Sequence, residues 1–271
     1  MTAGRRTRVG IIGTGKMGQA VIAGLIARGV RPSQIAGAEA NAATRRHVAR
    51  RFGISVSADA AAVAGRAQVL VLAVKPQQFP DVLRAIAPSV RRGALVISIA
   101  AGMTLRWMAQ RLPGTALARV MPNLPATVGA GFSALAFGRG LNARHRAQAR
   151  ALCATVGGVV ELPERHFDAI TAVSGSGPAY VFYLVQSWEQ AARSLGLPER
   201  VAAEAIRATI EGSAKLLRQN REPAATLVGR VASKGGTTEA ALRVFARRRV
   251  SRHLVEGMRA AAKRSRELSW A

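Results

Sequence analysis

Apolar residues fall in short runs over the first 160 or so positions and in helical periodicity after them. Val9 to Ile12 is a four-residue apolar run closed by Gly13, which predicts a strand followed by a helix to about Arg28. Gln34 to Ala38 predicts a second strand ending at Glu39, Asn41 to Phe52 a helix with Gly53 as its C-cap, and Ile54 to Val56 a short strand. Asp59 opens a small Ala-rich helix. Gln68 to Val74 (QVLVLAV) is apolar without alternation, as expected of a central parallel strand covered on both faces, and Lys75-Pro76 ends it sharply. Phe79 to Ile86 reads as a helix, Ala94 to Ala100 as another buried strand, and Leu105 to Arg111 as a helix that Thr104 can cap. Leu117 to Val120 is a strand leading into Met121-Pro122-Asn123. Gly131 to Phe137 and Gly158 to Leu162 are the last strands, flanking a helix from Asn142 to Thr155. Alternating β and α segments predict a doubly wound, mostly parallel α/β sheet. The final strands should extend it, with antiparallel members allowed.

After Pro163 no convincing strand follows. Pro178 to Leu195, Pro198 to Asn220, Thr226 to Ala232, Thr237 to Phe245 and Ser251 to Glu267 all read as helices. Pro178 and Pro198 sit where a first helical turn tolerates proline. The division expected is residues 1–163 as a sheet domain and 164–271 as an all-helical domain. No internal repeat or low-complexity tract interrupts either.

Composition bounds this picture rather than changing it. A chain of 271 residues with 49% hydrophobic positions can build two cores, drawn mostly from Ala, Val, Leu and Ile because aromatics are 4%. Cys153 is the only cysteine, which excludes an intrachain disulfide and a thiolate metal cluster and suits a cytoplasmic location. Arg5, Arg6 and Arg8 before an apolar run superficially resemble a secretory signal. The run carries Lys16, Gln19 and five glycines from Gly10 to Gly24, so neither a signal peptide nor a membrane span is expected.

Charge is the unusual feature: 40 basic against 14 acidic residues, net +26. Such a balance suits nucleic acid, an anionic surface or acidic substrates. The basic residues are scattered over helices without aromatic interleaving, and arginine outnumbers lysine 35 to 5. That pattern points to compositional bias, with no specific nucleic-acid partner and no membrane.

Four stretches carry candidate chemistry. Gly13-Thr14-Gly15-Lys16-Met17-Gly18 is G-x-G-x-x-G after a strand and opening a helix, the context that gives it meaning. Gly13 suits the tight turn, Gly15 lets backbone approach a pyrophosphate, and Gly18 lets helix and strand pack closely. The helix N-terminus offers N–H groups to phosphate. A Rossmann-type dinucleotide domain is therefore expected.

Ala73-Val74-Lys75-Pro76 ends a central strand, where open α/β sheets bind ligands; it also reads as a plain strand stop. Ser174-Gly175-Ser176-Gly177-Pro178 is a small-residue loop opening a helix, either an anion site or an interdomain turn. Ser233-Lys234-Gly235-Gly236-Thr237-Thr238 offers hydroxyls and N–H groups to a carboxylate at a helix start, or is a cap and turn. His47, His145, His166 and His253 have no metal spacing, read as surface helix residues, and no metal site is expected.

The segments IIGTGKMGQAVI (11–22), AVKP (73–76), RVMPNLPA (119–126), AVSGSGPAYVF (172–182), GLPE (196–199) and SKGGTTEAAL (233–242) together resemble pyrroline-5-carboxylate reductase, in the family's order and over nearly the whole chain. The resemblance implies an NAD(P)H-dependent oxidoreductase of the CH–NH class, reducing 1-pyrroline-5-carboxylate to L-proline in the last step of proline biosynthesis. It implies that Gly13, Thr14, Gly15, Lys16, Met17 and Gly18 form the pyrophosphate turn, and that Ala73, Val74, Lys75 and Pro76 line the cofactor, NADPH or NADH. Met121, Pro122 and Asn123 would lie beside the nicotinamide. Ser233, Gly235, Gly236 and Thr237 would hold the substrate carboxylate, and Thr238 would act catalytically, hydrogen-bonding the imine nitrogen. It further implies a helical domain that pairs in a homodimer, with the site completed across it and larger rings of dimers among relatives. Lys234 stands where the family more often has proline, and Leu124 where threonine is frequent. The alternatives are another cyclic-imine or β-hydroxyacid reductase on the same architecture, or a non-enzymatic basic binding protein. Against the β-hydroxyacid dehydrogenases, the helix after SGSGP carries no K-x-x-N pair. For cofactor choice, Glu39 would favour NADH and Arg45 or Arg46 could meet a 2′-phosphate, so both cofactors are expected to work without strong bias.

Overall fold

The computed structural model describes residues 7–220 and 222–270; Arg5 and Arg6, weighed above, lie outside them. The described residues up to Pro178, with those from Ala261 on, form one compact unit, and Ala179–Ala260 form a second.

The first unit runs β1 (Val9–Ile12), α1 (Lys16–Ala27), β2 (Ile35–Ala38), α2 (Ala42–Phe52), β3 (Ser55–Ser57), α3 (Ala60–Arg66), β4 (Val69–Leu72), α4 (Phe79–Ile86), β5 (Leu95–Ser98), α5 (Leu105–Arg111), β6 (Ala116–Met121), β7 (Gly131–Phe137), α6 (Ala143–Cys153), β8 (Gly157–Glu161) and α7 (Phe167–Ile170). The strands form one eight-stranded sheet in the order β3-β2-β1-β4-β5-β6-β7-β8. Pairing is parallel except between β6 and β7. The link from Met121 to Gly131 holds only the 3-10 turn Leu124–Val128. It is too short for a crossover, which needs about a dozen residues or more, so β7 returns antiparallel.

The apolar runs alternate sides of the sheet. Leu70 and Leu72 pack with Phe79, Leu83, Ile86, Trp107 and Phe167 on one face. Val69 and Val71 pack with Ile11, Val21, Ile22, Leu25 and Leu152 on the other. Both faces are covered, which is why β4 shows no polar alternation. Helix starts follow local chemistry: Asn41, Asp59, Thr104 and Asn142 each accept a hydrogen bond from a backbone N–H in the first turn of the helix they precede, at 2.8–3.2 Å.

The second unit contains most of α8 (Gly177–Ser194), α9 (Glu199–Gln219), α10 (Ala224–Val231), α11 (Thr237–Arg247) and the start of α12 (Val250–Glu267). Few of its apolar side chains are buried, while Phe182, Leu217, Val231 and Phe245 are exposed.

Two features were not expected. Ser174–Pro178 is not a loop. Thr171–Gly175 is a π turn that carries α7 into α8, with Ser176 N–H donating to the Thr171 carbonyl at 2.8 Å. Five small or β-branched residues with no charge among them carry no periodic signal for such a turn, so it reads as a break. The other is Trp270, which returns to the first unit. Its N–H donates to the Gly102 carbonyl at 2.8 Å, its carbonyl accepts from Thr104 Oγ1 at 2.7 Å, and its ring meets Trp107 edge-on at 5.3 Å.

Candidate active site

The strand order reverses between β1 and β4, and a cleft of about 640 Å³ opens at the carboxyl ends of the strands there. Open α/β sheets bind ligands at this kind of switch point. Gly13, Gly15, Ala38, Glu39, Ala73 and Lys75 are among its lining residues.

Three segments meet at the glycine turn. Gly13 N–H donates to the Ala38 carbonyl at 2.8 Å, and Ala73 N–H to the Ile12 carbonyl at 2.7 Å. Gly13 has φ +89°, and a Cβ there would lie 2.8 Å from the Ala73 carbonyl, so both conformation and space require glycine. A Cβ on Gly18 would lie 2.2 Å from the Gly13 carbonyl oxygen. Gly15 differs from both. It is the N-cap of α1 with φ −67°, and a Cβ there would meet nothing within 4 Å. Nothing in the protein requires glycine at this position. A ligand brought against the backbone would, and that is the fit expected of a pyrophosphate. Lys16 and Met17 open α1 and present their N–H groups to the same place. Thr14 is fully buried beneath the turn; its carbonyl accepts from Gln19 Nε2 at 2.9 Å.

Ala73 and Val74 are half-buried and Lys75 exposed along one side of the cleft; Pro76 starts a 3-10 turn. Met121, Pro122 and Asn123 end β6, two strands beyond β4, and are not among the residues lining this cleft. They are fixed against the π turn. Asn123 Nδ2 donates to Ser174 Oγ at 3.2 Å, and Asn123 Oδ1 accepts from Phe132 N–H at 2.8 Å. A Cβ on Gly175 would lie 2.5 Å from Met121 Cε. Two motifs distant in sequence are thus one structural piece, which nothing in either motif announces.

Ser233 to Thr238 lies in the second unit. Gly235 turns the chain with φ +75°, Gly236 is the N-cap, and Thr237 and Thr238 are the first residues of α11. Gly236 N–H is already engaged within the turn. It donates to the Ser233 carbonyl at 3.0 Å, closing the turn. Gly235 N–H is engaged by the Glu239 carboxylate. The donors left open at this helix start are those of Thr237, Thr238 and Glu239. Thr238 is half-buried and its hydroxyl caps nothing. Glu239 was missed by sequence reasoning. Its place three residues past the N-cap is the position from which glutamate reaches back to a turn, and that spacing was the available signal.

Among the described residues no three His, Cys, Asp or Glu side chains are grouped as a metal site. Burial pushes the Cys153 thiol up to about 12, so it is inert as a nucleophile. His145 is half-buried rather than on the open surface, with a buried, unpaired Nδ1.

Comparison with known proteins agrees with this geometry. A family model described as pyrroline-5-carboxylate reductase dimerisation matches residues 164–268, and one described as NADP oxidoreductase, coenzyme F420-dependent, matches residues 8–102. A pyrroline-5-carboxylate reductase of Synechocystis is 39% identical, covering 96% of this chain and 98% of that one. The chain belongs to the pyrroline-5-carboxylate reductase family. A solved pyrroline-5-carboxylate reductase structure from Coxiella burnetii superposes with a TM-score of 0.90 at 30% identity, covering 98% of this chain and all of that one. A Plasmodium falciparum pyrroline carboxylate reductase solved with NADP bound shares the fold, with a TM-score of 0.88 at 23% identity over 97% of this chain and 98% of that one. The dimerisation model also marks the helical region as one that self-associates. No helix among the described residues is long and apolar enough to cross a membrane.

Proposed function

We propose that this reductase transfers hydride to the C5 position of 1-pyrroline-5-carboxylate and releases L-proline. NAD(P)H supplies the hydride when bound. The C=N carbon would take up that hydride, and the ring nitrogen carries a proton taken from solvent. A protonated imine is already a good hydride acceptor, so the protein's share is orientation and electrostatics. That accords with a chain whose histidines lie outside every candidate motif.

The roles follow the positions. Gly13 to Gly18 hold the pyrophosphate by backbone N–H groups, and Ala73 to Pro76 line the cofactor. Asn123, held by Ser174 and Phe132, fixes the Met121–Asn123 segment that orients the nicotinamide. The substrate carboxylate rests on the Thr237 and Thr238 N–H groups and on Ser233 Oγ, with Lys234 adding positive charge. Gly235 and Gly236 shape that turn through their own hydrogen bonds. Thr238 Oγ1 meets the imine nitrogen. Residues 1–163 serve as the cofactor domain and 164–271 as the pairing domain, in a dimer that can assemble into larger rings, in the cytoplasm.

The single observation that carries the reading is Gly15, a glycine the protein itself does not require, in a cleft at the switch point. The test is NAD(P)H oxidation with 1-pyrroline-5-carboxylate beside other cyclic imines. Faster turnover of a different imine would move the substrate assignment while leaving the reaction class.

A further inference from the structure

We propose that this reductase selects NADH over NADPH, and that Glu39 makes the selection. The proposal rests on the cleft being the dinucleotide site and deepens that reading. It also goes beyond the sequence, where Glu39 argued for NADH and Arg45 and Arg46 argued against, without resolution.

Glu39 follows β2 directly and lines the cleft beside Gly13 and Gly15. Its position is fixed at several points. Its N–H donates to the Ser57 carbonyl at 3.0 Å. One carboxylate oxygen accepts from Thr14 N–H at 3.0 Å and lies 3.4 Å from Thr14 Oγ1. The other accepts from Asn41 N–H at 3.1 Å. A carboxylate tied to the glycine turn on one side and to the start of α2 on the other cannot swing away from an incoming group. It has about four lone-pair sites, so acceptor capacity remains for a ribose hydroxyl. A dinucleotide whose pyrophosphate sits on the turn brings its adenosine ribose to the end of β2. There a 2′-hydroxyl gains a charge-assisted hydrogen bond. A 2′-phosphate instead brings about −1.5 to −2 charge against a fixed negative group.

The cations that could reverse this are turned elsewhere. Arg45 Nη1 donates to the Glu39 carbonyl at 2.8 Å and the Ala40 carbonyl at 2.6 Å. These bonds anchor Nη1 on the backbone that follows β2, and Arg45 is not among the residues lining the cleft. Arg46 is exposed and does not line the cleft. Lys75 is the cation that does, and it follows β4, two strands across from β2. At strand spacings of about 4.8 Å, that is roughly 10 Å from the ribose corner. The +26 net charge draws the 2′-phosphate as well as the pyrophosphate, but it is screened beyond about 8 Å in physiological salt, so the groups at the ribose corner outweigh it. The fold also hosts a chain solved with NADP bound. The preference therefore belongs to the residues at this corner.

The test is calorimetry on the full chain with NADH and NADPH, and with ADP-ribose and 2′-phospho-ADP-ribose. Each unphosphorylated ligand should bind about 10- to 100-fold tighter than its 2′-phosphorylated partner, the scale of one hydrogen bond to a charged group. Glu39→Gln keeps an acceptor for Thr14 N–H but removes the charge, and should narrow the gap chiefly by tightening NADPH. Equal or tighter binding of the 2′-phosphorylated ligands by the unaltered chain overturns the selectivity while leaving the cofactor reading intact. A gap unchanged in a folded Glu39→Gln variant overturns the role of Glu39. Failure of all four ligands to bind overturns both this inference and the reading beneath it. The ligand comparison needs no variant, so poor folding of Glu39→Gln would not shield the proposal.

Discussion

Gly15 and Thr238 lie in candidate site motifs, and their own surroundings in the chain explain little of their identity. A side chain at Gly15 would touch no protein atom, and its φ of −67° suits any residue. Gly15→Val should therefore fold normally and fill the space a pyrophosphate needs. NAD(P)H affinity should fall about 100-fold or more, since several phosphate hydrogen bonds at roughly tenfold each are lost together. Calorimetry beside a thermal melt checks it, and unchanged binding would remove the turn from the site. Thr238 is the second residue of α11, and Gly236 rather than Thr238 holds the N-cap position. Thr238→Ala should lower kcat by about 10- to 1000-fold, the range for losing one positioned acid–base or electrostatic group. Dinucleotide affinity and melting temperature should stay near those of the unaltered chain. Normal kcat would end the catalytic assignment.

At the scale of elements, what the sequence made legible is what short-range chemistry decides. Helices Phe79–Ile86 and Leu105–Arg111 and strand Gly131–Phe137 occur with the bounds read from apolar pattern and caps. The unbroken run at 68–74 was interpretable because both faces of β4 are buried. What stayed hidden depends on partners far along the chain: Asn123 with Ser174, Trp270 with Thr104, Glu39 with Thr14. No local periodicity encodes such pairs. The π turn was hidden for the complementary reason, since its small residues look like a break in a helix when they continue one. Asn123 joins β6 to that turn and satisfies Phe132 N–H as well. Asn123→Ala should therefore loosen the Met121–Asn123 segment proposed to orient the nicotinamide. The expected result is a kcat about tenfold lower or more, because small misplacements of reacting groups are costly. Stability should fall by about 1–3 kcal/mol for the partners left unpaired. Single-turnover kinetics at saturating dinucleotide separate this from weak binding, and unaltered hydride transfer would show that the link is only structural.

The whole molecule raises two questions, its charge and its exposed apolar helices. Phosphate neutralisation is independent of sequence, so a net +26 spread over scattered arginines should hold duplex DNA weakly and release it as salt rises. Tight, sequence-selective binding at about 150 mM salt would contradict the compositional reading. The apolar helices argue for self-association on independent grounds. In Ala179–Ala260 only Ala192, Ala202 and Ile206 are buried hydrophobics among the described residues, whereas Phe182 is 58%, Val231 67% and Phe245 51% exposed. A unit of that kind cannot bury a core alone. Each such side chain contributes about 1.5–3 kcal/mol when covered, and the dimerisation model spans this region. The unaltered chain should sediment as a dimer or larger at micromolar concentration. Val231→Asp with Phe245→Asp should shift it toward monomer, because burying two unpaired carboxylates costs far more than the lost apolar area. Both side chains are more than half exposed within the chain, so the double variant need not disturb the first unit, and its dinucleotide affinity should persist. Reductase activity should drop with the dimer if the partner subunit completes the site, as the family resemblance implies. Sedimentation velocity and steady-state kinetics on one sample decide it. A monomeric unaltered chain at tens of micromolar would refute self-association through these helices, and a fully active monomeric variant would confine the site to one subunit.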